Sequence, residues 1–416
     1  MKKYLGLLLF AFAALAAYAQ EATAAAPVPP PAPVEPTQKL GDFTFDGFVR
    51  TGFIWRKAEE YGQPTDEEVF FGSLDDSGYN FIKNQGPSGR ARMNFTYSIG
   101  NVGIKGRLQL DYGSTDAPGW PYLFGYINAF EDQLTLSMGR LGASPWGTGG
   151  PEMWKELESI GKDGVGMRVE YKPKFVPGLN AGFVLNRYDS GTDGKPPDRK
   201  LTFEDIMRET VLGVSYEHEY FLARLAYRLD CDYDSRAGDR SLARLKEGDS
   251  LVYRAEERII KNYLPGAQVW AMGYIEGIGA EEEALDNGFL FMENWLFLQY
   301  GQDWGTAQFR LGYLYSGSRG VIYLRPNYYH NFLNKLITVG ALFSYANDFG
   351  DGKINDNAPY TEIQLEPKLQ INFPNAYVAF TYNLRQTYSA PQTQPKKEDL
   401  PLNRFQTINI RFGMTF

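Results

Sequence analysis

Four basic side chains occupy alternate positions of two neighbouring segments, and their type and spacing imply chemistry more directly than any other group in the chain. Alternate residues of an extended strand point to the same side, so each segment places two cations on one face. Like charges on paired strands repel, and such a cluster therefore needs water or counter-charges beside it. The pattern predicts a hydrated basic surface that favours anions. Its members are Arg90, Arg92, Lys105 and Arg107.

Catalytic chemistry finds little support in the composition. The chain has two histidines, His218 and His330, although acid–base and nucleophilic hydrolysis generally need a histidine with a partnered acid or nucleophile. Neither histidine lies in a zinc-ligand spacing or precedes a serine nucleophile elbow. We therefore expect no enzyme activity, no bound metal and no cofactor. The net charge of −8 also argues against a nucleic-acid partner.

Strands with one apolar and one polar face recur along the chain. In the final segment, Ile408, Phe412 and Phe416 share a face, whereas Asn409 and Arg411 lie on the other. An apolar face suits hydrocarbon, and a face that carries arginine can line water. The 28 Tyr, 28 Phe and 7 Trp residues would supply two interfacial girdles. These features predict an all-β, transmembrane, antiparallel barrel with up-and-down strand order.

Turn signals divide the predicted barrel into about 18 strands, with about 16 as the close alternative. Two segments decide between these counts: 250–261, where Glu257 would face lipid, and 265–278, where neither face is clearly polar. Short periplasmic turns are expected to alternate with longer extracellular loops, the longest of them over 56–87. The short turns are predicted near 100–101, 131–132, 173–178, 219, 264–266, 301–305, 331–334 and 374–375.

The N-terminal part has the features of an export signal followed by a linker. Residues 1–19 combine a positively charged start, an apolar core and small residues, which predicts a secretory signal peptide cleaved after Ala19. Residues 20–39 are rich in proline and alanine, and proline lacks the N–H that helices and sheets require, so we expect a polyproline spacer in the periplasm. Contact with the cell wall through this linker is the functional alternative to a plain tail. Residues 40–416 form the predicted barrel.

The length and alternation of residues 40–416 resemble those of Gram-negative outer-membrane porins, both general and substrate-selective, in overall pattern and not in a specific motif. The resemblance implies export by the general secretory route to the cell outer membrane and contact with its lipid, and it leaves monomer and homotrimer open. The last strand resembles that of other outer-membrane barrels, in which a terminal phenylalanine belongs to the signal that the barrel assembly machinery reads. This resemblance assigns that role to Phe416.

In porins the third outer loop commonly folds into the barrel and narrows the pore. By resemblance, the segment near 141–163 would fold inward, and its acids would face the wall cations across a constriction. Alternatively, this loop folds over the rim and the arginines pair with wall acids. The loop acids are Glu152, Glu156 and Glu158, and the further basic residues expected on the wall are Arg168, Arg224 and Arg228.

These interpretations predict a channel for passive diffusion of ions and small hydrophilic solutes, with a weak anion preference from the basic wall. The alternative is a plugged structural or adhesin-type barrel with surface-exposed loops. The aromatic run from Trp120 to Tyr126 has the alternate spacing of one strand face. We expect it in the lipid-facing band, whereas an aromatic track inside the barrel would bind sugars.

Overall fold

The computed structural model covers most of the predicted barrel. Within the residues that it describes, no helix is long and apolar enough to cross a membrane. The predicted signal peptide at 1–19 and the linker at 20–39 lie outside these residues and stay predictions. The described residues are 41–60, 62–71, 89–112, 119–141, 145–147, 165–186, 210–229, 248–279, 291–316, 319–348, 360–389 and 403–416.

The described part of the chain consists of nineteen strands and one short helix. Neighbouring strands pair antiparallel, and the last strand pairs with the first, so the sheet closes on itself. The helix, α1 (Ile260–Tyr263), lies between the eleventh and twelfth strands. The strands are β1 (Asp42–Glu60), β2 (Gln63–Phe71), β3 (Gly89–Ile99), β4 (Val102–Tyr112), β5 (Gly119–Ala129), β6 (Leu134–Arg140), β7 (Val165–Tyr171), β8 (Leu179–Asn186), β9 (Val211–Glu217), β10 (Phe221–Arg228), β11 (Asp249–Glu257), β12 (Ala267–Ile278), β13 (Phe291–Gln302), β14 (Gly305–Ser316), β15 (Arg319–Phe332), β16 (Ile337–Asp348), β17 (Tyr360–Phe373), β18 (Ala376–Ser389) and β19 (Asn403–Thr415).

The closed sheet has 18 strand positions because β2 and β3 share one. β2 pairs with the second half of β1, at Phe53–Glu60, and β3 pairs with its first half, at Asp42–Arg50. The two strands therefore follow one another along the same side of β1. The predicted antiparallel barrel of about 18 strands is confirmed, and the alternative count is wrong.

Both segments that decided the strand count are strands, β11 and β12. Glu257 ends β11, and its Oε1 accepts hydrogen bonds from the backbone N–H groups of Ile259 and Ile260, at 2.9 Å for the latter. The carboxylate thus satisfies N–H groups at the start of α1 and does not face hydrocarbon in mid-strand. β12 turns Trp270, together with other large side chains, toward the inside, which explains why neither of its faces appears polar in the sequence.

The barrel is inverted relative to a water-soluble sheet, with apolar side chains outside and polar side chains inside. On β19 the outward Ile408 and Phe412 are each 42% exposed, whereas the inward Asn409 and Arg411 are 4% and 6% exposed. Most other strands follow the same rule, since large hydrophobic residues dominate the exposed set and many polar residues are buried. β12 and β13 differ, because they also turn large apolar side chains inward. The outward face suits hydrocarbon, and the inward face lines the lumen.

Phe416 completes the closure at the end of the barrel that carries the short turns. Its backbone N–H and C=O both bond to Gly47, at 3.1 and 2.9 Å, and its ring stacks on Phe45 with centroids 5.4 Å apart. Gly47 has a steric reason to be glycine, because a Cβ there would lie 2.4 Å from the Arg92 carbonyl oxygen and 2.9 Å from the Phe416 ring. The role of Phe416 as an assembly signal stays a prediction.

The short turns lie where the sequence predicts them, and two of them bend in an unusual way. The turns at 130–133 and 333–336 each pass through three consecutive non-glycine residues with φ between 51° and 70°. This left-handed region is costly for most residues but is best tolerated by Asp and Asn. Asp132 and Asn334 occupy it here. The surrounding ladder therefore holds these turns in a conformation that their local sequence does not favour.

The connection predicted over 56–87 is wrong in its first half. β1 continues through this region and β2 returns beside it, with Gly62 in the left-handed region at φ 75°. The inward Arg56 Nη2 lies 2.6 Å from Glu68 Oε2 and 3.2 Å from Asp66 Oδ2. Asp66 and Glu68 are therefore alternate residues of a strand, where they pair with an arginine across the hairpin.

Replacing an outward residue by arginine should cost far more stability than replacing the inward residue beside it. Leu369→Arg would place a guanidinium against hydrocarbon, and we expect it to lower the free energy of unfolding by about 1 to 3 kcal/mol. Gln370→Arg, one position along β17, faces the lumen and should cost less than about 1 kcal/mol. Urea unfolding in lipid vesicles measures both values. Equal costs would contradict the assignment of the two faces.

Candidate functional site: the inner wall

The four cations of the predicted cluster face inward on β3 and β4, but the register separates them. Arg92 lies opposite Gln109, and Arg107 lies opposite Asn94. Each guanidinium bonds to the amide that it faces, with Arg92 Nε 2.6 Å from Gln109 Oε1 and Arg107 Nε 2.7 Å from Asn94 Oδ1. No two of these cations are direct partners, which removes the strongest repulsion between them. The direct partners of Arg90 and Lys105 are Asp111 and Thr96.

Aromatic rings of β5 lie beside two of these cations. The Arg107 guanidinium is 5.0 Å from the centroid of the Tyr122 ring, and Lys105 Nζ is 5.3 Å from that of Tyr126. Such cation–π contacts hold a cation in place without neutralising it. Within the described part of the chain, neither Lys105 nor Arg107 forms an ion pair. Lys105 and Arg107 therefore keep their positive charge, and the Lys105 side chain is exposed to the lumen.

The aromatic run of β5 faces the lumen for most of its length, so its assignment to the lipid-facing band is wrong. The register shifts next to Arg107, where β5 carries an extra residue relative to β4. Trp120, on one side of the shift, points outward and meets the outward Phe95 edge-on at 6.1 Å. Tyr122 and the alternate rings after it point inward. A bulge reverses the face that later residues occupy, and regular alternation cannot reveal it.

Arg168 on β7, a further basic residue of the predicted site, is neutralised within the wall. Arg168 Nε lies 2.9 Å from Glu170 Oε1, and Lys172 Nζ and Asn180 Nδ2 approach the other carboxylate oxygen at 3.6 and 3.3 Å. The guanidinium also lies 5.4 Å from the Phe124 centroid. Arg168 and Glu170 are both buried. This pair therefore supports the wall and adds little charge to the lumen.

Arg224 and Arg228 face inward on β10, in surroundings of mixed charge. Arg224 stands directly opposite Arg254, which pairs with Glu256 at 3.1 Å. Arg228 lies 3.8 Å from the carboxylate of Glu276. The β10 sector thus balances both signs, whereas the β3–β4 sector is mainly basic.

Two short pieces of the segment near 141–163 are described, and each contains a buried apolar residue. Leu141 follows β6 directly, and Trp146 lies within Pro145–Gly147; both belong to the apolar cluster of the inner wall. The indole of Trp146 contacts β8 and β9, and its Nε1 donates to the Asn180 carbonyl oxygen at 3.1 Å. The position of the loop acids opposite the cations stays a prediction. Glu152, Glu156 and Glu158 lie outside the described residues.

An apolar band lies inside the barrel, where the sequence did not predict one. Trp270 on β12 stacks on Phe297 of β13, with centroids 4.8 Å apart and planes within 6°. Trp295 stacks on Tyr323 at 5.7 Å, and the Arg325 guanidinium lies 5.3 Å from the Trp295 centroid. The available signal was the lack of a polar face in the β12 segment, because a strand between lipid and water should have one.

Both histidines lie on the outer surface near the short turns. They contact aromatic side chains that form part of an interfacial girdle. The His330 ring is 4.5 Å from that of Phe332, and its Nδ1 is 2.9 Å from the Tyr328 hydroxyl. The His218 ring is 4.9 Å from that of Tyr220. Among the described residues, no group of three or more His, Cys, Asp or Glu side chains could hold a metal ion.

Exposed ion pairs link neighbouring short turns. A hydrogen bond from Lys174 lowers the pKa of the Glu131 carboxyl group. Lys335, whose Nζ is 2.7 Å from Asp303 Oδ1, lowers the pKa of that carboxyl group in the same way. All of these side chains are solvent-exposed, so the pairs contribute little to stability.

No protein-family model and no curated protein matches the chain, but solved structures resemble its barrel. OpdQ of Pseudomonas aeruginosa is similar with a TM-score of 0.52 at 10% sequence identity, over 90% of this chain and 98% of that chain. The outer-membrane channel DcaP of Acinetobacter baumannii gives 0.46 at 11% identity, over 91% and 99%. The outer-membrane protein OmpT of Vibrio cholerae gives 0.44 at 10% identity, over 91% and 100%.

The fold is that of the outer-membrane porins. Of these three likenesses, that to OpdQ alone exceeds a TM-score of 0.5, and at 10% identity it concerns the fold and not the role of any residue. Together with the inverted faces of the closed sheet, the porin fold indicates a barrel of the outer membrane.

Loss of a buried acid of the barrel wall should cost more stability than loss of an exposed one. Glu170→Gln leaves the buried Arg168 beside a neutral amide, and we expect the free energy of unfolding to fall by about 2 to 4 kcal/mol. Asp303→Asn, the control, removes the exposed partner of Lys335 and should cost less than about 1 kcal/mol. Urea unfolding in vesicles compares them. If the two variants lost similar amounts of unfolding free energy, burial would not determine how much the Arg168–Glu170 pair contributes to stability.

Proposed function

We propose that the protein is a porin through which ions and small hydrophilic solutes diffuse passively across the outer membrane, with a weak preference for anions. The observation that carries the proposal is the basic sector on β3 and β4, where, among the described residues, Lys105 and Arg107 contact an amide and aromatic rings in place of carboxylates. A barrel of about 18 strands is wide enough to hold an aqueous channel. Cations along such a channel favour the entry of anions.

Wall acids limit the size of this preference. Glu293, Asp348 and Glu362 also face inward, but each is nearly fully buried. The Glu362 carboxylate pairs with Arg385, and that of Glu293 accepts a hydrogen bond from a tryptophan. Buried and partnered carboxylates act less on a passing ion than the exposed ammonium of Lys105 does. A weak net preference for anions follows.

We further propose that the segment near 141–163 forms a constriction in the lumen. Its acids, Glu152, Glu156 and Glu158, would face the basic sector across the lumen and create a transverse field at a constriction. The burial of Trp146 against the inner wall supports this arrangement, because it holds the chain on the lumen side of the sheet shortly before the first of these acids. Such a field would orient dipolar solutes as they pass.

A plugged structural or adhesin-type barrel is the competing function, and the apolar band inside the wall is the observation that favours it. Reconstitution of the protein in a planar bilayer separates the two. Stable ohmic current steps would support the open porin. Absence of steps from protein that is folded and heat-modifiable would overturn it in favour of the plugged barrel.

Neutralising the basic sector should weaken the anion preference. We expect the double variant Lys105→Gln, Arg107→Gln to shift the reversal potential in a KCl gradient and to reduce the anion-to-cation permeability ratio roughly twofold. The control is Lys174→Gln, which neutralises an exposed lysine of a short turn and should leave the ratio nearly unchanged. An unaltered ratio in the double variant would mean that other charges set the selectivity.

A further inference from the structure

We propose that Trp146 is a positioning residue that anchors the chain after β6 to the inner wall and thereby limits the open cross-section of the pore. The inference rests on the proposed pore function for its consequence, but the anchor itself consists of contacts between described residues. Trp146 is the largest of the fully buried side chains among the described residues, although it lies in none of the nineteen strands. A residue outside the sheet that is so completely buried marks a point at which its segment is fixed.

Two glycines form the recess in which the indole lies. Gly182 on β8 and Gly213 on β9 are direct partners in the register. A Cβ at position 213 would lie 1.9 Å from Trp146 Cδ2, and a Cβ at position 182 would lie 3.0 Å from Cη2. The ring therefore rests directly on the backbone of the wall, and a side chain at position 213 would evict it. Glycine inside a strand is otherwise unfavourable and often marks such a close approach.

Polar contacts fix the orientation of the ring and of the chain beside it. Trp146 Nε1 donates to the carbonyl oxygen of Asn180 at 3.1 Å, and Arg224 Nη1 lies 3.5 Å from the carbonyl oxygen of Gly147. The Asn180 side chain in turn donates to Glu170 at 3.3 Å. The polar end of the indole is thus satisfied, as a buried tryptophan requires, and the anchor is joined to the ion-paired part of the wall.

The anchor has a direct consequence for the size of the pore. Leu141 and Trp146 provide two buried apolar contacts within a few residues after β6. With both in place, the backbone at Pro145–Gly147 occupies space on the lumen side of the wall. Without the indole, the contact between Leu141 and the wall would remain, but the backbone at Pro145–Gly147 would no longer be fixed to the wall. Because the conductance of an ohmic, water-filled pore grows with its open cross-section, release of this backbone should be measurable as current.

A reversible cross-link tests the anchor within a single protein. Trp146 Cγ lies 2.5 Å from the position of a Cβ at residue 213, so cysteines at these two positions are within reach of a disulfide. In a Cys231→Ser background, Trp146→Cys with Gly213→Cys should show wild-type single-channel conductance when oxidised. Reduction with dithiothreitol should raise the conductance roughly 1.5-fold and increase the open-channel noise. Equal conductance in the two redox states would overturn the proposal.

Filling the recess should have the same effect as releasing the ring. Gly213→Ala displaces the indole. We expect this variant to show the raised single-channel conductance and open-channel noise of the reduced cysteine pair. Gly125→Ala is the matched control, because a Cβ there meets no atom closer than 3.8 Å. Trp120→Ala controls for the loss of a tryptophan, since Trp120 lies on the outer face. A rise of equal size in either control would show that the effect does not come from the anchor.

Chemical labelling separates failure of the anchor from failure of the pore. Gly147 is buried beside Trp146, so Gly147→Cys in the Cys231→Ser background should react slowly with a membrane-impermeant maleimide. Addition of Trp146→Ala should speed the reaction roughly tenfold, because the segment opens locally. Faster labelling without any current would uphold the anchor and reject the pore. Unchanged labelling would reject the anchor whatever the currents.

Discussion

Closure of the sheet is the constraint on which the rest of this structure depends. Inside a bilayer no water is present to satisfy the backbone, so each N–H and C=O of a spanning segment must find its partner within the sheet. β1 meets this need on both sides, with β19 along Phe48–Glu60 and with β2 and β3 in succession along the other side. The bonds between Phe416 and Gly47 extend the seam. The hydrogen bonds of a closed sheet fix a single register. They can therefore hold turns in a left-handed conformation that the turn residues themselves disfavour.

Closure also explains how much of the fold could be predicted from the sequence. A sheet between lipid and water must alternate, so the faces of β19 are visible in the order of Ile408, Asn409 and Arg411. The short turns are visible for a similar reason, since several carry Gly, Pro, Asn or Asp. The departures from alternation could not be predicted. The bulge before Tyr122 and the return of β2 beside Arg56 depend on the register with a partner strand, which is information that no local window of sequence contains.

The same limit applies to the candidate site: the sequence shows which residue types face inward, but not which partners they contact. The inward position of Arg92 and Arg107 follows from alternation, but their contacts do not. An offset in the register sets each guanidinium opposite an amide, Gln109 or Asn94, and not opposite another cation. The cluster therefore needs fewer counter-charges than the sequence alone suggests. Amides and rings can orient a cation while leaving its charge in place, whereas the carboxylate of Glu170 cancels that of Arg168.

The inner apolar band gives the lumen two unlike sides. β4 occupies the third position around the ring and β13 the twelfth, half of the 18 positions apart, so the basic sector and the apolar band face each other. Phe297 in the band is 2% exposed, whereas Lys105 in the basic sector is exposed. One side of the lumen is therefore packed and the other is wet. In the proposed pore, hydrated solutes would pass along the wet side, where close approach to the cations makes even a modest excess of charge effective.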